Sequence, residues 1–120
     1  MIYGIGTDLV EVGRVLKACE KQAFLNRIFT VSEIDLILKD KKKAAGNFAV
    51  KEAVVKMFGT GFRKVSPIHI EVLRDELGKP YVNLYDAALE YAKEVGIVRI
   101  HVSISNTKEY ASAYVVGETL

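Results

Sequence analysis

The sequence predicts a single α+β domain in which an antiparallel sheet packs against one long buried helix. Residues 69–84 and 97–116 alternate in polarity on either side of short turns, which is typical of β-hairpins. Residues 48–58 are instead apolar around nearly the whole helical circumference, which indicates a helix that is buried on most sides. A chain of 120 residues, half of them apolar, suits one domain over residues 1–120 with a single core.

The amino-terminal segment predicts a strand followed by a helix. Residues 2–6 are rich in β-formers, so the strand would carry Asp8 at its carboxyl end. An apolar series at helical spacing follows, and Glu11 stands three residues after Asp8. One interpretation is an N-cap with a capping-box partner, and the other is a metal-binding carboxylate at the strand-to-helix junction. Both stay open, because one oxygen could cap the helix while the other binds an ion.

Two further helices carry their own end signals. Residues 30–33 (TVSE) match the capping box of a helix that runs through Leu38, with Ser32 as the competing N-cap. Residues 86–95 have helical spacing and stop at Gly96, which predicts a last helix before the second hairpin.

The helix at residues 48–58 carries a narrow charged strip. Glu52 and Lys56 share that strip, either as an ordinary i,i+4 ion pair or as functional groups, since charges on a mostly buried helix are paired, bind an ion or do chemistry. Lys51 points about 100° away from Glu52 and is expected to be solvated or to contact a partner. Gly59 is expected to cap the helix in the left-handed conformation.

Composition limits the classes of function. The formal net charge of +2 is too small to indicate nucleic acid binding, and no apolar run approaches a membrane span. Cys19 is the only cysteine and the amino terminus does not resemble a signal peptide, so a reducing, cytoplasmic location is expected. His69 and His101 lie in predicted strands at no spacing that suggests a zinc site.

A basic stripe follows the predicted first helix. Arg14, Lys17 and Lys21 stand at i, i+3 and i+7, and the stripe continues to Arg27. Such a stripe is either a solvated face or the docking surface for an acidic protein partner.

The polar set at Asp8, Glu52 and Lys56 favours phosphate chemistry. Two carboxylates without His or Cys suit Mg²⁺, which takes few protein ligands and completes its shell with water and substrate phosphate oxygens. A nearby lysine could neutralise or protonate a leaving phosphate oxygen. The chain has neither a P-loop nor a dinucleotide-binding fingerprint, so ordinary nucleotide hydrolase frameworks are not supported.

Four segments resemble one family. They are GIGTDLVEVGRV at residues 4–15, FAVKEAVVKMFGTG at 48–61, IEVLRDELGKPYV at 70–82 and HVSISNTKEYASAYVV at 101–116. Together they resemble the holo-acyl-carrier-protein synthases, the small bacterial 4′-phosphopantetheinyl transferases, over nearly the whole chain and in order. The resemblance implies the 4′-phosphopantetheinyl transferase fold and a trimer-forming protein.

The resemblance also implies an activity. The 4′-phosphopantetheine arm of coenzyme A would be transferred to a serine of apo acyl carrier protein, with release of adenosine 3′,5′-bisphosphate, in support of fatty acid biosynthesis. Asp8 and Glu52 would hold Mg²⁺, and Lys56 would protonate the leaving phosphate. A metal-associated water or a carboxylate would take the serine proton.

Partner contacts follow from the same resemblance. Active sites would lie at the interfaces of a homotrimer, with Asp8 from one subunit and, from its neighbour, the helix that carries the KEA motif at residues 51–53. Coenzyme A would contact Lys42, Lys43, Lys56, Gly59, Thr60, Gly61, Ser105, Asn106 and Thr107. The carrier protein would contact Arg14, Lys17, Lys21, Gln22, Phe24 and Leu25.

Two residues depart from the family pattern. Asn47 stands where many relatives have arginine, and Asn106 replaces the histidine of the usual SISH or SITH segment. Residues 39–43 (KDKKK) form a charged turn just before the central helix, and Lys41 to Lys43 could supply the missing charge to the 3′-phosphate.

Two rivals remain at this point. A small binding module could use the basic first helix to hold an acidic protein or RNA, although the strands lack the interleaved aromatic and basic residues of an RNA-stacking surface. A trimeric structural homologue without activity is the other rival, against which the intact Asp8, Glu52 and Lys56 argue.

Overall fold

The computed structural model describes residues 1–120 and contains five helices and five strands. In chain order they are β1 (Ile2–Glu11), α1 (Val12–Ala18), α2 (Gln22–Ile28), α3 (Val31–Lys39), α4 (Lys43–Phe58), β2 (Ile70–Arg74), β3 (Pro80–Leu84), α5 (Asp86–Val95), β4 (Ile97–Asn106) and β5 (Tyr110–Thr119). The predicted α+β class is confirmed. No helix is long and apolar enough to cross a membrane.

All strand pairs are antiparallel. A three-stranded sheet has the order β1-β5-β4, and β2 pairs with β3 in a second, two-stranded sheet. Both predicted hairpins are confirmed, and α5 occupies the predicted residues, with Gly96 in the left-handed conformation at φ 83°. His101 lies in β4 as expected, whereas His69 lies in a short 3₁₀ turn just before β2.

Helix α4 lies directly on β1 and β5. A Cβ added at Gly6 would overlap the carbonyl oxygen of Ala53, and one at Gly4 would lie 2.7 Å from the carbonyl oxygen of Met57. Only glycine permits this approach of helix to strand. The helix is therefore fixed against the part of β1 that precedes Asp8.

The central helix is longer than its apolar pattern indicates. It begins at Lys43 rather than near Phe48, and it ends at Phe58, as predicted, with Gly59 in the left-handed conformation at φ 83°. Most of its side chains are buried, including Val50 and Val54 in the main core. The prediction of a helix buried on most sides is confirmed.

The interpretation of Asp8 as a helix N-cap, one of the two left open by the sequence, is wrong. Strand β1 continues through Asp8 to Glu11, and α1 begins at Val12 without a side-chain cap. Each residue of this stretch has a partner in β5, with Asp8 opposite Ala113 and Glu11 opposite Tyr110. Long-range pairing with β5 thus overrides the local capping signal, and Asp8 lies within a strand rather than at its end.

The capping box of α3 is confirmed. The hydroxyl of Thr30 accepts the backbone N–H of Glu33 at 3.2 Å, and a Glu33 carboxylate oxygen accepts the backbone N–H of Thr30 at 3.1 Å. Ser32, the competing N-cap, lies inside the helix.

Lys51 corrects a further expectation, because it is buried rather than solvated. Its ammonium lies 2.7 Å from a carboxylate oxygen of Glu33, and both side chains have no exposed surface. The same ammonium donates to the carbonyls of Pro67 and Ile70. The buried amide of Asn47 donates to Glu33 at 3.0 Å, so these three side chains form a buried network beneath α3 and β2.

Candidate active site

One chain brings Asp8, Glu52 and Lys56 to the same place, and we call these three side chains the α4 triad. The Lys56 ammonium donates to a carboxylate oxygen of Asp8 at 3.0 Å and to the carbonyl of Thr7 at 3.1 Å. The expectation that Asp8 and the KEA helix come from different subunits is therefore wrong. The reason is the close packing of α4 on β1, which places the two motifs side by side within one subunit.

Glu52 and Lys56 do not pair with each other in the α4 triad. No ion pair within 4.0 Å joins these two residues, because Lys56 turns to Asp8 instead. Partial burial raises the pKa of Glu52, the neighbouring Asp8 carboxylate raises it further, and the Lys56 ammonium lowers it. Two carboxylates that repel each other in a partly desolvated place favour a bound cation.

The residues present fit Mg²⁺ better than a transition metal. No group of three or more His, Cys, Asp or Glu side chains is close enough to form a metal cage. Asp8 and Glu52 supply only hard oxygen ligands, as a magnesium ion that keeps several waters and substrate oxygens requires. The side chain of Asp8 retains 14% of its surface exposed and that of Lys56 retains 53%, so a solvated ligand can reach them.

The predicted coenzyme A contacts fall into two groups at opposite ends of α4. Lys42, Lys43 and Asn106 share a cavity of about 330 Å³ at the amino end. Gly59, Thr60 and Gly61 follow the carboxyl end, roughly 24 Å away for a helix of this length. The α4 triad lies nearer the carboxyl end, since Lys56 is in the last turn of the helix.

The remaining two predicted contacts lie near the turn between β4 and β5. Ser105 pairs with Ser112 in the sheet. The Thr107 hydroxyl accepts the backbone N–H groups of Glu109 and Tyr110, which shapes the turn. Neither side chain lines the amino-end cavity, whose lining is Asp40, Lys42, Lys43, Gly46, Arg74, Gly78, Pro80, Ile104 and Asn106.

Arg74 is the cationic residue of this cavity that sequence reasoning missed. It lies at the end of β2, and its guanidinium donates to the Asn47 side-chain oxygen at 2.9 Å. The available signal was its position as a cation at the start of a hairpin turn, within a segment that the family resemblance already covers.

The basic stripe on α1 and α2 forms one surface. Arg14, Lys17, Lys21 and Phe24 line a common open cavity of about 620 Å³ together with Arg27. Two other predicted carrier contacts do not line this cavity. Gln22 donates to Asn26 within α2, and Leu25 packs against a second apolar core that includes Val15, Ile28 and Phe29. An adjacent apolar cavity of about 460 Å³ shares Arg14 and Phe24 with this surface. The surface therefore combines positive charge with exposed apolar area.

Comparison with known proteins identifies the family. The sequence model of the 4′-phosphopantetheinyl transferase superfamily matches residues 4–115. The chain belongs to this superfamily. A holo-[acyl-carrier-protein] synthase of Lachnoclostridium phytofermentans is 65% identical over 120 residues, which cover 100% of this chain and 98% of that relative.

Solved structures of 4′-phosphopantetheinyl transferases share the fold. The holo-[acyl-carrier-protein] synthase of Neisseria meningitidis matches with a TM-score of 0.90 at 38% identity, over 99% of this chain and 100% of that one. The enzyme of Helicobacter pylori, solved in complex with coenzyme A, matches with a TM-score of 0.83 at 33% identity, over 95% and 99%. The expected transferase fold is confirmed, and the chain is an enzyme of the transferase class rather than a binding module.

Proposed function

We propose that this enzyme transfers the 4′-phosphopantetheine arm of coenzyme A to a serine hydroxyl of apo acyl carrier protein in a Mg²⁺-dependent reaction. The names of its relatives and the coenzyme A complex of the Helicobacter pylori enzyme support this substrate pair. The observation that carries the proposal is the α4 triad, in which two carboxylates and an ammonium meet within one chain. The product would serve fatty acid biosynthesis.

Asp8 and Glu52 are the residues that would hold Mg²⁺. An ion held by these two carboxylates would supply positive charge to the pyrophosphate of coenzyme A and make its phosphorus more electrophilic. Asp8 is held by its strand and by Lys56, and Glu52 lies on a helix that packs closely on β1 at Gly4 and Gly6, which favours preorganised carboxylates.

The reaction is a single displacement at phosphorus. The serine oxygen of the carrier attacks the β-phosphorus, and the bond from that phosphorus to the bridging oxygen breaks. The electron pair leaves with adenosine 3′,5′-bisphosphate, and the serine proton passes to a carboxylate of the site or to water. Lys56 contributes a positive charge and hydrogen-bond donors to the leaving phosphate, while the site as a whole supplies position and charge stabilisation.

The basic stripe would receive the carrier protein. Arg14, Lys17 and Lys21 are exposed next to the half-buried Phe24, which suits an acidic partner that also offers apolar side chains. Charge complementarity of this kind accelerates and orients docking more than it adds affinity.

We also propose that the enzyme assembles as a homotrimer. The sheet face opposite α4 carries Ile5, Leu9 and Tyr114, whose exposed fractions are 71%, 64% and 62%. Copies of this chain would cover this apolar face. Size-exclusion chromatography with light scattering should give three times the 13.3 kDa mass of one chain, and a monomer at micromolar concentration would contradict the trimer.

The proposed compartment is the cytoplasm, which agrees with the free thiol of Cys19.

A direct assay tests the transfer. The enzyme is incubated with coenzyme A, Mg²⁺ and an apo acyl carrier protein, and the intact carrier is weighed by mass spectrometry. We expect the carrier to gain the mass of one phosphopantetheine arm, and only when Mg²⁺ is present. An unmodified carrier that a known transferase can still modify would reject the proposal.

A further inference from the structure

The contact between Lys56 and Asp8 occupies a carboxylate that the proposed function assigns to a metal ion. Lys56 Nζ lies 3.0 Å from Asp8 Oδ1 and 3.1 Å from the carbonyl oxygen of Thr7. Of the ion pairs within 4.0 Å, this is the one that includes either residue. The fold by itself therefore supplies Asp8 with a counter-charge from within the chain.

Glu52, the second carboxylate of the α4 triad, has no such partner. No ion pair within 4.0 Å includes it, and Lys56 donates to Asp8 instead. Glu52 is half-buried, and no buried side-chain oxygen of the chain lacks a partner, so solvent reaches the Glu52 carboxylate. The two carboxylates are thus unequal, because the ammonium neutralises Asp8 and leaves Glu52 open to a cation.

Lys56 can leave Asp8 without disturbing the fold. Its side chain keeps 53% of its surface exposed, and exposed ion pairs contribute little to stability. Lys51 on the same helix is the opposite case, because its ammonium has no exposed surface and donates to Glu33 and to two backbone carbonyls. A flexible four-carbon chain lets the Lys56 ammonium exchange one acceptor for another.

The charges at Asp8 make the ammonium and a divalent cation competitors. A cation bound to the Asp8 carboxylate would lie close to the ammonium, and like charges at such a separation repel each other. A phosphate group removes the conflict, because its oxygens offer the ammonium a charged acceptor at least as good as a carboxylate.

We infer that Lys56 competes with a divalent cation for Asp8 until the pyrophosphate of coenzyme A draws the ammonium away. This inference rests on the proposed function, which supplies coenzyme A as the substrate. Lys56 then has two successive partners, first Asp8 and then the phosphate that leaves. As a consequence, the cation site is weak in the enzyme alone and becomes strong when coenzyme A binds. Because linkage is reciprocal, the ion strengthens the binding of coenzyme A by the same factor.

Titration with Mn²⁺ alone tests the competition without turnover. Mn²⁺ accepts the same hard oxygen ligands as Mg²⁺, and electron paramagnetic resonance measures the free ion. Lys56→Met removes the ammonium and should bind Mn²⁺ about 10-fold more tightly than the wild type. Lys56→Arg keeps the positive charge and should bind Mn²⁺ as weakly as the wild type does. An affinity in Lys56→Met that equals or falls below the wild-type value overturns the inference.

A second titration, with coenzyme A present, tests the exchange of partners. Coenzyme A without protein provides the blank for ions that it binds in solution. The difference in Mn²⁺ affinity between the wild type and Lys56→Met should shrink, because the phosphate already holds the ammonium in the wild type. A difference that stays the same would show that Lys56 remains on Asp8, which also overturns the inference.

Controls separate this competition from general effects of charge and folding. Lys93→Gln removes one positive charge from an exposed position on α5 and should leave the Mn²⁺ affinity unchanged. The double variant Lys56→Met/Glu52→Gln should lose the gain in affinity, and a gain that persists there overturns the inference by placing the ion elsewhere. Lys56→Gln replaces Lys56→Met if the latter does not fold.

The outcome is independent of the transfer reaction. If Lys56→Met binds Mn²⁺ more tightly but the wild-type enzyme modifies no carrier protein, the proposed function fails while the competition at Asp8 stands. If the wild type modifies the carrier but Lys56→Met shows no gain in Mn²⁺ affinity, the proposed function stands and this inference fails.

Discussion

Helix α4 contributes to two charged clusters whose members on the helix are neighbours in sequence but differ in burial and in hydrogen bonding. On one side, Lys51 joins Glu33 and Asn47 in the buried network, where no buried side-chain nitrogen or oxygen lacks a partner. On the other side, Glu52 and Lys56 meet Asp8 in the α4 triad, where solvent reaches the ammonium and two carboxylates repel each other. A satisfied, dry cluster holds a fold together, whereas an unsatisfied, wet cluster is available to a ligand.

The comparison explains why neighbours in the KEA motif have different tasks. Lys51 and Glu52 point about 100° apart on the helix, so one faces α3 and β2 while the other faces β1. Burial lowers the pKa of Lys51 and raises that of Glu33, and each charge opposes the shift of its partner. Removing either member would leave the other as an uncompensated buried group.

The largest expected effect is on the stability of the buried network. Lys51→Met removes the ammonium, which leaves the buried Glu33 carboxylate without its counter-charge and takes a donor from the carbonyls of Pro67 and Ile70. We expect the free energy of unfolding to fall by about 3–5 kcal/mol, measured by urea denaturation. Lys56→Met on the same helix is the matched control and should change it by less than about 1 kcal/mol, because its pair with Asp8 is half-exposed. Equal losses in the two variants would abolish the distinction between the clusters.

Substitutions in the α4 triad should reduce activity more than they reduce stability. Lys56→Ala removes the cation that we propose lies beside the leaving phosphate, and we expect kcat to fall about 100-fold, as for the loss of one donor to a developing charge. The KM for coenzyme A should change less, because most of the proposed coenzyme A contacts lie outside the α4 triad. Steady-state kinetics on a protein of unchanged melting temperature provides the measurement. A rise in KM with unchanged kcat would assign Lys56 to binding rather than to the chemical step.

A smaller effect on stability is expected at Glu71, which lies next to the buried network and accepts a hydrogen bond from Thr30. Burial works to raise the pKa of Glu71, but hydrogen bonds from Thr30, Asn83 and Tyr85 outweigh it and hold the pKa below the usual 4.5. A carboxyl group whose pKa is lower in the folded state stabilises the fold above the unfolded value and loses that contribution as the pH falls through the folded value.

Glu71→Gln should therefore cost about 1 kcal/mol of unfolding free energy near neutral pH, and the difference from wild type should shrink below about pH 4.5. Urea titrations at neutral and at acidic pH measure both quantities. A difference that stays constant with pH would show that the ionised form of Glu71 is not what stabilises the fold.

The sequence predicted the secondary-structure elements better than it predicted which distant residues each of them contacts. The two hairpins, α5 and the capping box of α3 follow from local patterns, since each depends on residues that are close in sequence. The extension of β1 through Asp8 depends on a partner strand about a hundred residues later, so a local capping signal could not reveal it.

The same limit applies to the polar residues. The helical periodicity showed that Lys51 points away from Glu52, but not that α3 would cover it with Glu33. Asn47 was recognised as a departure from the family pattern, yet its role as the partner of Arg74 appears only when β2 lies against α4. Glu52 and Lys56 could be singled out from the sequence because two charges stood out on an apolar helix, but their meeting with Asp8 within one chain depends on the packing of α4 on β1.

Transfer of the phosphopantetheine arm by Glu52→Gln is the most direct test of the division between the two clusters. The substitution keeps the size of the side chain and removes one of the two carboxylates that would hold Mg²⁺. The rate is followed by the mass of the carrier protein, under conditions in which circular dichroism shows the variant to be folded. The account predicts a loss of at least about 100-fold in rate at an unchanged melting temperature. Transfer at the wild-type rate would contradict it, because Glu52 would then be no part of the catalytic site.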